Sequence, residues 1–285
     1  MNDTAQQPIG VFDSGVGGLS VLQALRAELP HERFVYLADS GNAPYGDARG
    51  DAFVSARTHA ITCYLREQHH IKALVVACNT ATAAAIHEAR VRHPQLPLVG
   101  VEPALKPAVA ATRTGHVGVI GTRGTLGSAK FARLLASLEG QARFTIQPCD
   151  GLAHAIERST AHPPTATQDA TEIRALCAQY TGAMGPFGTE KGAIDTLVLG
   201  CTHYVFAQDI LRDLLGPDVA LIATGEPVAR QTRRLLQTAH ALACQDTPLG
   251  ADAVTVFTTG ALEPLQNAVG RWLQLPARCC CTVDL

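Results

Sequence analysis

Two cysteines occupy matching positions in the sequence. Cys78 follows the buried-strand pattern LVVA and precedes Asn-Thr-Ala-Thr, whereas Cys201 follows LVLG and precedes Thr-His-Tyr. A thiolate is both a nucleophile and a proton base. Two symmetrically placed thiols indicate inversion of a carbon centre, in which one removes a proton from one face and the other delivers a proton to the opposite face. Cysteine also packs in protein cores, but the matched copies followed by polar residues favour the chemical interpretation.

Further polar residues accompany these thiols at predicted strand ends. Asp13 and Ser14 close the run IGVF, and the turn GVGG (15–18) comes next. A glycine-rich turn after a strand holds an anion on its backbone N–H groups. The turn lacks both the GxGxxG spacing and the GK[ST] of nucleotide-binding loops, so a carboxylate is the more plausible anion. His203, two residues after Cys201, is placed to tune that thiol or orient a substrate, although a lone histidine is often structural.

The elements that carry these residues alternate between strand and helix, which predicts parallel sheets. We predict strands at 9–12, 34–38, 73–77, 98–101, 117–120, 143–147, 196–199 and 254–258. We predict helices at 19–29, 51–68, 80–92, 125–138, 171–180, 207–215, 226–244 and 261–273, and a surface loop at 160–170. Each thiol then lies where a strand ends and a helix begins, and the helix dipole there predicts a lowered pKa.

The strand–helix pattern restarts after Pro103 and Pro107 and forms a weak internal repeat. The predicted fold class is α/β, with two pseudo-symmetric, open, parallel-sheet domains. The first domain comprises 1–104 and 226–285, and the second comprises 105–225. Because ligands bind beyond the carboxyl ends of parallel strands, two facing halves would bring both thiols to one active-site cleft between the domains.

Composition narrows the class of protein. The 285 residues are 47% hydrophobic and 17% charged, with 23 Lys and Arg against 25 Asp and Glu. This near-neutral balance argues against nucleic acid as the main partner. We expect no metal site, because no cysteine pair has CxxC spacing and no histidine cluster accompanies the cysteines at zinc-finger intervals. We expect no membrane association and a cytoplasmic location with reduced thiols, since neither a long apolar run nor a signal sequence is visible. The triplet Cys279–Cys280–Cys281 is interpreted as an incidental tail.

The motifs together resemble the bacterial glutamate racemases, which belong to the cofactor-independent aspartate/glutamate racemase superfamily. The resemblance rests on DSGVGG, APYG, CNTAT, EPALKP, GTRGT, GCTHY and FTTG, which occur in this order along almost the whole chain. It implies interconversion of L- and D-glutamate for peptidoglycan synthesis, without a cofactor and commonly in a homodimer. By this resemblance, Cys78 takes the α-proton of D-glutamate and Cys201 takes that of L-glutamate.

The resemblance also implies roles for residues beside the thiols. Asp13 and His203 flank the two thiols, and Glu157 is implied to assist Cys201, although Asp150 stands where the family usually has proline. The residues implied to hold the substrate are Asp13, Ser14, Tyr45, Gly46, Asn79, Thr80, Thr122, Thr125, Thr202 and His203.

Three alternatives remain open from the sequence. A racemase for another acidic amino acid, such as aspartate, would need the same two thiols, and only its side-chain pocket would differ. A catalytically weak binding protein of the same fold is the second alternative. The third, a pyridoxal-phosphate racemase, would need a Schiff-base lysine, and none of Lys72, Lys106, Lys130 and Lys191 is beside the proposed site.

Overall fold

The computed structural model describes residues 3–45, 49–162, 167–244 and 253–285, and within them the chain divides into two compact units. The first unit contains the chain up to Val101 together with Gly225–Leu285, and the second is Glu102–Thr224. Each unit is built on its own parallel sheet. The prediction of an α/β fold with two parallel sheets is therefore confirmed.

The first unit has a six-stranded sheet with the order β10-β9-β2-β1-β3-β4. Its strands are β1 (Ile9–Asp13), β2 (Phe34–Ala38), β3 (Ala73–Val76), β4 (Leu98–Gly100), β9 (Val254–Thr258) and β10 (Cys280–Thr282). Its α-helices are α1 (Asp3–Gln6), α2 (Leu19–Glu28), α3 (Gly50–His69), α4 (Asn79–Arg92), α11 (Gly225–Thr238) and α12 (Leu262–Ala268). The three central strands β1, β2 and β3 are fully buried, as expected for a parallel sheet covered on both faces.

The second unit has a four-stranded sheet with the order β6-β5-β7-β8. Its strands are β5 (His116–Gly121), β6 (Arg143–Pro148), β7 (Thr196–Leu199) and β8 (Ala220–Ile222). Its α-helices are α5 (Leu105–Ala111), α6 (Arg123–Leu126), α7 (Ala129–Ala136), α8 (Leu152–Arg158), α9 (Thr167–Gly182) and α10 (Gln208–Leu215). The core includes Val117, Val119 and Val198 from the two central strands.

Several predicted boundaries are wrong for identifiable local reasons. The predicted helix 125–138 is two helices, because the Ser128 hydroxyl accepts a hydrogen bond from Phe131 N at 3.1 Å and begins α7. The predicted helix 226–244 ends at Thr238, and His240 takes a left-handed φ of 51° that no α-helix continues through. The predicted loop 160–170 is wrong at its end, where α9 already begins at Thr167.

Two of the three C-terminal cysteines, Cys280 and Cys281, belong to an edge strand of the first sheet, and Cys279 ends the turn before it, so the interpretation of the triplet as an incidental tail is wrong. Cys280 pairs with Val256, and Thr282 pairs with Thr258 in parallel register. A three-residue strand made of such residues carries little sequence signal, and it forms because β9 offers a free edge. The short strand β8 was missed for the same reason. In the described ranges no helix has both the length and the apolar character that crossing a membrane requires.

Candidate active site

The first thiol lies at the carboxyl end of the first sheet. Cys78 follows β3 and is the N-cap of α4, and its sulfur accepts a hydrogen bond from Ala81 N at 3.4 Å. Its side chain is almost fully buried. Because β1 is the parallel neighbour of β3, the residues that end β1 come to the same edge. The Cys78 thiol donates to Ser14 Oγ at 3.7 Å, and the Ser14 hydroxyl donates to Asp13 Oδ1 at 2.9 Å.

This environment keeps Cys78 protonated at neutral pH. Burial, and then the negative charge of Asp13, raise the pKa of the Cys78 thiol to about 12, although the Ala81 N–H and Ser14 act in the opposite direction. The prediction of a lowered pKa at this strand end is therefore wrong. One backbone N–H at the start of a helix does not offset the loss of hydration together with a neighbouring carboxylate. In this state Cys78 is a proton donor.

The residue after Cys78 carries a buried amide that has no hydrogen-bond partner among the described residues. Asn79 is 5% exposed, and neither its Oδ1 nor its Nδ2 has a hydrogen-bond partner within the described part of the chain. Leaving a buried polar group unpaired costs about 1–3 kcal/mol. Thr80 is also buried next to it. Asn79 can therefore donate to and accept from a polar ligand bound beside the Cys78 sulfur.

Tyr45, another predicted site residue, is held by a network that sequence reasoning missed. Its hydroxyl donates a hydrogen bond to Asp39 Oδ2 at 2.6 Å. The same carboxylate accepts hydrogen bonds from Arg57 Nη2 at 2.7 Å and from Thr259 Oγ1 at 2.8 Å. Asp39 follows β2, and its backbone N–H donates to Asp13 O at 2.9 Å. The same strand-end rule that selected Asp13 could have found Asp39. Gly46, which was predicted to bind substrate, lies outside the described residues.

The second thiol lies at the carboxyl end of the second sheet. Cys201 comes shortly after β7, immediately before the 3₁₀ turn Thr202–Ala207, and it is buried. Its sulfur lies 3.7 Å from His203 Nδ1. The other ring nitrogen, His203 Nε2, lies 2.6 Å from Glu157 Oε2 on α8. The structure thus brings the predicted residues Glu157 and His203 together with this thiol, in the order Glu157, His203, Cys201.

The contacts of His203 favour its protonated form. Burial alone lowers the pKa of His203, but the hydrogen bonds and charges of Cys201 and Glu157 outweigh burial and raise this pKa well above its ordinary value. An imidazolium donates from both ring nitrogens. His203 is therefore able to donate to the carboxylate of Glu157 and to a deprotonated sulfur at the same time.

Two threonines extend the second site along the same sheet edge. Thr122 follows β5, which is the parallel neighbour of β7, and Gly200 N donates to Ile120 O at 2.7 Å between the two strand ends. The Thr122 hydroxyl donates to Thr125 Oγ1 at 2.9 Å and accepts from Thr125 N at 3.3 Å. Thr202 is buried beside Cys201. Hydroxyls at this edge are suited to a carboxylate ligand.

The sequence matches a known protein family over more than half of its length. A sequence profile described as Asp/Glu/Hydantoin racemase matches residues 19–232. A relative named glutamate racemase, from Ectopseudomonas mendocina, is 47% identical to this chain over 262 residues, which is 92% of this chain and 93% of that protein.

Solved structures with the same architecture carry the same name. The glutamate racemase isoform RacE1 from Bacillus anthracis has a TM-score of 0.81 and 32% identity, with 99% of this chain and 98% of that chain covered. The Escherichia coli glutamate racemase, solved in complex with L-glutamate and the activator UDP-MurNAc-ala, has a TM-score of 0.77 and 29% identity over 93% of this chain and 95% of that chain.

Proposed function

The chain belongs to the Asp/Glu/Hydantoin racemase family, and on this premise we propose that it interconverts L- and D-glutamate with Cys78 and Cys201 as acid and base. Glutamate racemases are isomerases, and the known role of this family is to supply peptidoglycan synthesis. One observation supports the assignment of the two thiols as acid and base. Each sheet ends at a buried thiol linked to a carboxylate, through Ser14 to Asp13 in one unit and through His203 to Glu157 in the other.

In the proposed reaction the two thiols act on opposite faces of one α-carbon. From L-glutamate, the Cys201 thiolate takes the α-proton while the Cys78 thiol gives its proton to the other face, which yields D-glutamate. From D-glutamate the roles are exchanged. In each turnover one sulfur gains a proton and the other sulfur loses one. The protonation states of the two thiols are therefore exchanged at the end of the turnover.

The pKa shifts of Cys78 and His203 favour one protonation state of the enzyme at the start of the reaction. The raised pKa of Cys78 keeps its proton in place, which suits the donor in the reaction of L-glutamate. The protonated His203 is positioned to donate its Nδ1–H to the Cys201 sulfur once this sulfur has lost its proton. We therefore assign the state with Cys78 protonated to the form of the enzyme that accepts L-glutamate.

Substrate binding is assigned to the polar groups beside the thiols. The amide of Asn79 is the strongest support, since it is buried next to Cys78 and has no hydrogen-bond partner in the part of the chain that the structure describes. The remaining proposed contacts are Asp13, Ser14, Tyr45, Gly46, Thr80, Thr122, Thr125, Thr202 and His203. Asp39 and Arg57 act as positioning residues in this proposal, because they hold the Tyr45 hydroxyl rather than the substrate.

The wider setting of the enzyme is part of the same proposal. We place the two units as the domains of the enzyme, which we expect to act as a homodimer located in the cytoplasm. The nine free cysteines support a reducing compartment. Light scattering coupled to gel filtration tests the dimer, and a mass equal to one chain would contradict it.

The first test is circular dichroism of L-glutamate incubated with the purified protein in deuterated buffer without added cofactor. We expect loss of optical rotation with deuterium entering the α-position. Loss of optical rotation with aspartate but not with glutamate would support the same two-thiol chemistry acting on a different substrate. No change in optical rotation with either amino acid would contradict the racemase proposal and favour the binding-protein alternative.

A further inference from the structure

The three consecutive cysteines near the C-terminus have three different environments. Cys279 ends the short 3₁₀ turn Ala277–Cys279 and is half-buried. Cys280, the first residue of β10, is buried against the sheet, and Cys281 on the same strand is exposed. The proposed racemase chemistry uses none of these thiols.

Cys279 and Cys280 are in sulfur–sulfur contact. Their Sγ atoms lie 3.9 Å apart, close enough for one thiol to donate a weak hydrogen bond to the other sulfur. Cys279 also lines a surface cavity of about 460 Å³, together with Arg26, Leu29 and Pro276. A small solute in this cavity would meet the Cys279 sulfur, since Cys279 lines the cavity whereas Cys280 is buried and is not among the lining residues.

The charges around Cys279 favour its thiolate. The hydrogen bond from Cys280 lowers the pKa of Cys279 to about 7, with burial opposing it and the positive charges of Arg26 and Arg278 assisting it. The same contact raises the pKa of Cys280, so the pair divides into one thiolate and one thiol. The carboxylate of Glu32, which also borders the cavity, is paired with Lys72 at 2.5 Å.

We propose that Cys279 and Cys280 form a peroxide-reactive dithiol in which Cys279 is the attacking sulfur and Cys280 the resolving one. A redox-sensitive cysteine is an accessible thiolate placed next to a second thiol, and this pair meets both conditions. The substrate class is a small hydroperoxide, such as hydrogen peroxide, that fits the cavity beside Cys279. This site is separate from the proposed racemase thiols and does not depend on their function.

The reaction balances in two steps. The Cys279 thiolate attacks one peroxide oxygen and the O–O bond breaks, so sulfur is oxidised to a sulfenic acid and the peroxide is reduced to water or an alcohol after taking up a proton. The Cys280 sulfur then attacks the Cys279 sulfur. The S–S bond forms and the S–O bond breaks, and the hydroxyl leaves as water with the proton of the Cys280 thiol.

The resulting disulfide is expected to be easily reduced. Adjacent Cα atoms across a trans peptide are about 3.8 Å apart, which is below the usual range of about 4.4–6.8 Å for disulfides. A strained disulfide has a more oxidising potential and exchanges readily with free thiols. The modification is therefore reversible by a small dithiol such as dithiothreitol.

The experiment treats the full-length protein with hydrogen peroxide at pH 7, blocks remaining thiols and maps peptides by mass spectrometry. Cleavage after Arg278 releases one peptide, 279–285, that contains all three cysteines. The variant C281S removes the third thiol, and its peptide should lose two hydrogens on oxidation and regain them with dithiothreitol. In C280S/C281S the sulfenic acid has no adjacent resolving thiol, so dimedone should trap it on Cys279. Absence of the disulfide in C281S would overturn the proposal.

A second readout compares thiol reactivity without requiring oxidation. At pH 7 a thiol with a pKa near 7 alkylates about threefold to fivefold faster than an ordinary one, because its larger thiolate fraction outweighs its lower nucleophilicity. Exposed Cys244 in the same protein is the internal control. Equal iodoacetamide rates for Cys279 and Cys244, or unchanged peroxide consumption in C279S, would each contradict the assignment of Cys279 as the attacking sulfur.

Discussion

At the residue scale, the two thiols have different partners, although the sequence presents them as copies. Cys78 is linked through a neutral hydroxyl to Asp13, whereas Cys201 adjoins an imidazole paired with Glu157. A buried carboxylate near a thiol opposes the loss of its proton, and an imidazolium favours it. Similar motifs therefore place the two thiols in different electrostatic surroundings, and this difference suits a reaction with one acid and one base.

The first prediction concerns the thiols themselves. We expect Cys78→Ser and Cys201→Ser each to lower the racemisation rate by about 10³-fold or more, since a hydroxyl is a far weaker acid and base at neutral pH. The measurement is the circular dichroism assay in both directions. Each variant should still eliminate HX from a glutamate analogue with a leaving group, because elimination needs only one base. Full racemisation by either variant would contradict the two-base mechanism.

The second prediction concerns Glu157. Its carboxylate helps to raise the pKa of His203, so Glu157→Gln should lower this pKa and reduce kcat more strongly from L- than from D-glutamate. Nuclear magnetic resonance of the His203 ring, assigned with His203→Asn, measures the titration midpoint. Glu172→Gln is the matched control, because Glu172 forms an exposed ion pair with Arg158. An unchanged midpoint in Glu157→Gln would show that the carboxylate does not act on the imidazole.

At the element scale, Asp39 links the end of β2 to α3 and to the segment after β9. Arg57 on α3 contributes two hydrogen bonds to its carboxylate, and Thr259 contributes another. Arg57 also donates to Leu285 O at 2.9 Å. The buried carboxylate of Asp39 therefore links the end of β2, helix α3 and the segment after β9, and it also holds the hydroxyl of Tyr45.

The third prediction follows from this network. Burial raises the pKa of Asp39, but hydrogen bonds from Arg57, Tyr45, Thr259 and Asn42 outweigh burial and lower it below its ordinary value. A lowered folded-state pKa stabilises the fold above the unfolded-state pKa of about 3.9 and loses this contribution as pH falls. Asp39→Asn should therefore cost about 2–4 kcal/mol at pH 7, and this difference should shrink as the pH falls below about 4.

Urea unfolding at several pH values measures this difference. Arg230→Gln is the control, because Arg230 and Glu226 form an exposed pair one helical turn apart, and such pairs contribute about 0–1 kcal/mol. A cost for Asp39→Asn that equals the control, or that grows as pH falls, would contradict the assigned role. A raised KM in Asp39→Asn would further support its positioning of Tyr45.

The main strands and helices could be predicted from the sequence because buried parallel strands are short apolar runs and their ends carry the polar motifs. The spacing of polar residues after β1, β3 and β7 led directly to Asp13, Cys78 and Cys201. Strands β8 and β10 could not be predicted, since runs of only three residues give little sequence signal and depend on a neighbouring strand for their structure. Likewise, the pKa of Cys78 depends on burial and on Asp13, which are tertiary properties.

At the scale of the whole molecule, we expect both thiols of one chain to act on one substrate. Each unit supplies only one of the proposed bases, so neither unit alone could invert the α-carbon. The fourth prediction uses heterodimers of Cys78→Ser and Cys201→Ser, made by coexpression with different tags and purified through both tags. We expect no racemisation above the level of either variant alone, because each chain retains only one of the two proposed site thiols.

Activity near half that of the wild type in these heterodimers would instead mean that one site draws its two thiols from different chains. Wild-type heterodimers carrying the same two tags control for any effect of the tags or of coexpression. Failure to recover any doubly tagged protein would contradict the homodimer and leave the one-chain site to be tested by the single variants. The experiment therefore answers two questions separately, namely whether one chain supplies both thiols of a site and whether two chains associate. The chemistry of the two thiols is the same in either arrangement and does not answer these questions.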